Sequence, residues 1–89
     1  MLEIRKIIKE KYNIYDINYI YININNQILE FNLNAFNTVK ISKIDNNYHL
    51  ILSILNSNAI PTKRINFNIK YNSYEKLIND LECFNFNYL

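Results

Sequence analysis

A chain of 89 residues without a single glycine has few ways to turn a corner. Glycine is the usual choice where the backbone takes a positive φ or where another group must approach closely. Its absence removes the glycine-rich loops that cradle phosphates, so nucleotide and dinucleotide cofactors are not expected. It also removes the kinks that let a small sheet curl into a closed barrel. Asparagine, which tolerates the left-handed backbone best among the other residues, has to make the turns. The chain has eighteen of them, with seventeen isoleucines and eight lysines against two alanines, two arginines and one proline. Residues with AT-rich codons displace those with GC-rich codons, which points to an AT-rich genome, that of a virus or mobile element or of its host. Abundant Asn and Lys are therefore compositional bias before they are function.

Two helices and five strands follow from periodicity. Residues 2–12 place Ile4, Ile7, Ile8 and Tyr12 on one helical face with charges on the other. Ile20, Ile22 and Ile24 then alternate with Tyr19, Tyr21 and Asn23. Leu29, Phe31 and Leu33 alternate with Ile28, Glu30 and Asn32. A two-residue turn at Asn25-Asn26 predicts Ile22 opposite Leu29 and Ile20 opposite Phe31. "TVKISKID" and "YHLILSIL" flank Asn46-Asn47, a turn that predicts Val39 opposite Ile54 and Ile41 opposite Leu52. "RINFNIKY" is a fifth strand after a loop fixed by Pro61. Asn72 and Glu75 read as a capping box for a second helix carrying Tyr74, Leu77, Ile78, Leu81 and Phe84 inward. The "FNFNY" that follows reads as a tail or a short strand covering the first-strand edge.

The expected fold is a single α+β domain over residues 1–89. It is a two-layer, five-stranded antiparallel meander with the N-terminal and C-terminal helices on the same face (α-β-β-β-β-β-α). A closed barrel is the alternative. Ile22, Phe31, Ile41, Leu52 and Phe67 are the expected core beneath Ile8 and Leu77, with two helix diameters matching the width of the sheet.

Chemistry finds little to work with. His49 is the one histidine. Ser42 lies diagonal to it on the same expected face and Asp45 on the opposite one, so no Ser-His-Asp arrangement forms. One cysteine excludes an internal disulfide, and Cys83 reads as a small, partly buried helix residue. Asp80 and Glu82, two apart on a helix, read as solvated. No metal site, cofactor or catalytic group is expected, and the chain reads as a non-enzyme. Charged residues from Glu3 to Lys11 argue against a secretory signal and no run is long enough for a membrane span, so a cytoplasmic location, in a cell or an infected host, is the expectation.

The expected outer face of the sheet carries an apolar band of Tyr19, Tyr21, Ile28, Ile44 and Ile51 inside a polar surround. The last strand is guarded by Arg64 and Lys70, whereas the first carries no charge, proline or glycine. Such an edge invites another strand, including that of a second copy in a homodimer. The expected partner surface is therefore Tyr19, Tyr21, Asn23, Ile28, Ile44 and Ile51. It belongs to a small protein-binding domain of the inhibitor, immunity or anti-defence kind, acting by occupying the surface of another protein. The alternative is a nucleic-acid-binding module using Lys40, Lys43, Arg64 and Lys70 with exposed Tyr19 and Tyr21. A net charge of +2 and a pI near 8.7 fall short of the concentrated basic stripe such modules usually carry.

Overall fold

The computed structural model describes residues 1–56 and 60–83. Helix α1 spans Leu2–Tyr12. Strands β1 (Ile17–Asn23), β2 (Asn26–Asn32), β3 (Thr38–Ile44), β4 (Asn47–Asn56) and β5 (Lys63–Tyr71) follow, and helix α2 (Tyr74–Cys83) comes last. The strands pair in chain order as one antiparallel sheet, so among the described residues β1 and β5 are its edges. This is the expected α+β meander. The sheet is open, and the barrel alternative falls.

Both helices lie on one face. Ile4 and Ile8 of α1 and Leu77 and Leu81 of α2 are buried with Leu29, Phe31, Val39, Ile41, Leu50 and Leu52 of the three central strands. Each such side chain withdrawn from water contributes about 1.5–3 kcal/mol. The helices are tied to each other at their C-terminal ends. The Tyr12 hydroxyl donates to the Leu81 carbonyl at 2.7 Å, and Lys11 Nζ donates to the carbonyls of Leu81, at 3.0 Å, and Glu82. Asn13 ends α1 in the left-handed conformation, φ 55°, where a glycine would commonly sit.

The registers differ from expectation in two ways. In the second hairpin the turn is Asp45-Asn46, which pairs Val39 with Leu52 and Ile41 with Leu50. That two-residue shift preserves parity, so the apolar faces stay where expected. In the first hairpin the turn is Ile24-Asn25, and the shift is odd: Tyr19 faces Leu29 and Ile17 faces Phe31. The Asn25 N–H donates to Asn23 Oδ1 at 2.8 Å, so Asn23 initiates the turn. Neither turn residue takes a positive φ. Turns of that kind splay the strands, and an irregularity between Tyr21 and Asn23, with Ile22 as the extra residue, restores the pairing.

The core is correspondingly different at its margins. Phe31, Ile41 and Leu52 are buried as expected, but Ile22 is 64% exposed and Phe67 50% exposed. The helices pack together over β2, β3 and β4 and leave the helix-side residues of β5, Ile65, Phe67 and Ile69, half open. Helix α2 begins at Tyr74 with the Leu77 N–H donating to the Ser73 carbonyl, one residue later than a cap at Asn72 implies. Phe84 and the "FNFNY" segment lie outside the described residues.

Candidate functional site

Strand β1 is the element whose two faces decide what the surface can do. Tyr19 pairs with buried Leu29 and therefore points to the helix side. Its hydroxyl donates to Gln27 Oε1 at 3.0 Å, and the Arg5 guanidinium lies over its ring, 5.4 Å from the centroid. A cation over a phenol face at this distance is attractive. Tyr21 leans on Tyr19 with ring centroids 6.4 Å apart and stays 60% exposed. Arg5 Nε is buried and makes no hydrogen bond. The tyrosines thus form an exposed aromatic shoulder beside α1.

The outer face is set by pairs across the strands. One row runs Ile20, Ile28, Ser42, His49, Lys70, and the next Asn18, Glu30, Lys40, Ile51, Asn68. Ile44 stands near the turn end, between Asn26 and Asn47. Of the expected band, Ile28, Ile44 and Ile51 do share the outer face, and Asn23 sits beside them at the hairpin end. Tyr19 and Tyr21 do not, because the odd register shift turns them over. Ile20, expected in the core, takes their place at the edge of the outer band.

The cations separate as well. Lys43 pairs with Tyr48 and Gln27 on the helix side and donates to the Ile24 carbonyl at 3.1 Å. Arg64 Nη1 donates to the Phe36 carbonyl at 2.9 Å and to Ser53 Oγ at 3.0 Å, which ties the β2–β3 loop to the sheet. Lys40 stands directly opposite Glu30, an arrangement of opposite charges. Lys70 stands opposite His49. Asp16, Asn18, Glu30, Thr38, Lys40 and Ser53 border a shallow depression of about 400 Å³ at this side of the sheet.

Among the described residues no carboxylate is a cross-strand neighbour of His49. Ser42 is directly opposite it, closer than the diagonal placement expected, but its other cross-strand neighbour is the cation Lys70. A triad needs a carboxylate to orient the imidazole. Burial pushes the Tyr12 phenol up to about 12. Burial, then hydrogen bonding to a carboxylate, raises the Tyr71 and Tyr74 phenols, which donate to Asp80 Oδ2 at 2.7 Å and Glu3 Oε2 at 2.8 Å. These bonds hold α2 to β5 and to α1. Asp80 is thus an acceptor for Tyr71 and not merely solvated. Cys83 is exposed, where a partly buried thiol was expected.

Among the described residues no group of three or more His, Cys, Asp or Glu gathers as metal ligands, and no helix is long and apolar enough to cross a membrane. Comparison of the chain with protein-family models, with curated proteins and with solved structures gives no match.

Proposed function

We propose that the protein is a small non-enzymatic binding domain that acts by occupying the surface of another protein, with β1 and its flanks as the contact. An inhibitory role, of the kind played by immunity or anti-defence proteins in the cytoplasm, suits a domain whose distinctive feature is an exposed apolar edge. One observation carries the reading. Strand β1 is a seven-residue edge without charge or proline, and its Ile20, Tyr21 and Ile22, with Ile24 in the turn after it, are exposed. Edge strands of soluble proteins are ordinarily blunted by charge, as β5 is by Lys63, Arg64 and Lys70. Tyrosine and aliphatic side chains with a polar surround also make up the centre of many interfaces.

The test is affinity capture from the native source with wild type, Tyr21→Lys and Lys70→Glu, read by mass spectrometry. The expected result is a protein retained by wild type and Lys70→Glu and lost with Tyr21→Lys. Equal retention by Tyr21→Lys would remove β1 as the contact.

A further inference from the structure

We infer that β1 pairs antiparallel with β1 of a second copy of this chain, about a twofold axis through Ile20, so that two five-stranded sheets become one sheet of ten. The inference rests on the reading of β1 and its flanks as a contact surface: it gives the backbone edge of β1 to a second copy and leaves the adjoining outer face to the other protein.

The two edges differ in how they tolerate a copy of themselves. A twofold axis perpendicular to the sheet keeps both helix layers on one side and sets residues of the same face opposite each other. Centring β5 on its middle residue, Phe67, would place Arg64 opposite Lys70 of the other copy, twice. Like charges directly opposite are destabilising. β1 has no charge to oppose.

Its central triad is also self-complementary, with Asn18 and Ile17 falling opposite Ile22 and Asn23 of the other copy. Ile17–Asn23 reads I-N-Y-I-Y-I-N, and Ile20 is its midpoint. Centring there sets Ile20 against itself and Tyr19 against Tyr21 of the second copy, twice. On the outer face the row Ile28–Ile20 continues into Ile20–Ile28 of the other copy. On the helix side four tyrosines meet, and tilted aromatic pairs at such spacing are favourable. The irregularity at Ile22 falls outside the central Tyr19–Tyr21 triad. The two Arg5 side chains, each over its own Tyr19, sit on diagonal positions and not directly opposite. An isologous contact of this kind closes on itself, so the assembly stops at two.

Directly opposed residues of antiparallel strands have Cα atoms about 4.5–5.5 Å apart, within the ~4.4–6.8 Å that a disulfide spans. The experiment therefore uses the full chain with Cys83→Ser to remove the native thiol. Ile20→Cys in that background should form a covalent dimer on mild oxidation much faster than Asn18→Cys, which faces residue 22 of the other copy. Wild type should sediment as a dimer at high micromolar concentration. Ile20→Asp, which sets two carboxylates against each other, should sediment as a monomer with an unchanged far-ultraviolet circular dichroism spectrum. A monomeric wild type, a dimeric Ile20→Asp, or equal cross-linking at residues 18 and 20 would overturn the pairing. If wild type is a monomer and Tyr21→Lys still loses its captured protein, the second copy is wrong and the binding surface stands. If neither effect is seen, both fall.

Discussion

Asparagine does in this chain what glycine does in most, and it does so in two different ways. Asn13 supplies a positive φ at the end of α1. Asn23 and Asn34 instead use their side-chain oxygens, accepting backbone N–H groups of Asn25, and of Phe36 and Asn37. A sequence shows that an Asn-Asn pair marks a turn, but not which of these two roles each residue takes. The first hairpin turn accordingly sits one residue earlier than Asn25-Asn26 implies, and the second sits one residue earlier than Asn46-Asn47 implies because Asp45 takes the positive φ, 53°. Asn37 is the most consequential of the set. It is buried, its carbonyl accepts from Leu33, and its Oδ1 accepts the Leu55 N–H at 3.1 Å. Nothing in the sequence distinguishes it from the seventeen others, because its partner is eighteen residues away. Asn37→Ala leaves a part-buried N–H without its acceptor. It should cost about 1–3 kcal/mol, read as a lower denaturant midpoint with an unchanged slope.

At the level of elements, periodicity was enough for type and order. The period-2 runs and the two amphipathic segments identify all seven elements, and α1 begins and ends where its apolar face does. Parity was enough for the faces of β2, β3, β4 and β5. It failed for β1, where one extra residue reverses the assignment of every side chain before it. The isoleucines at 20 and 22 made the wrong face look apolar, while Tyr19, with its hydroxyl bonded to Gln27, is the one packed beside α1. The alternation in β5 is as regular as in β2, yet α2 meets it only at Tyr71 and leaves Ile65, Phe67 and Ile69 half open, and no local signal reports how far a helix layer extends. Paired substitutions measure this difference. Phe31 is 4% exposed and Phe67 half exposed. Phe31→Ala should cost about 3–5 kcal/mol, and Phe67→Ala no more than about half as much, since half of its surface stays in water. Equal shifts in the chemical denaturation midpoints would mean that the helix layer covers β5 after all.

Across the whole molecule, the position of the helices divides the surface into a helix side that is apolar at its margins and an outer side where aliphatic and cationic residues mix. The division bears directly on the nucleic-acid alternative. Binding single strands calls for aromatic rings on which bases stack, alongside cations that track the phosphates. Here Tyr19 and Tyr21 face the helix side, and Lys40, Arg64 and Lys70 face the other. No single strand engages both sets without crossing the β1 edge. Lys43 is on the tyrosine side but donates to the Ile24 carbonyl, and Arg64 is held by Phe36 and Ser53. At most three cations of the sheet then meet phosphates together. Counterion release gives a slope of about −0.7 per phosphate contact in log K against log salt for single strands, so the slope should be no steeper than about −2. Fluorescence anisotropy with a labelled mixed-sequence oligonucleotide across a salt series is the measurement. Weak binding that is lost near physiological salt and unaffected by Tyr21→Lys fits the separated faces. A steep slope, with loss of affinity in Tyr21→Lys, would instead require the two faces to act on one strand and would restore the nucleic-acid reading over the protein-binding one.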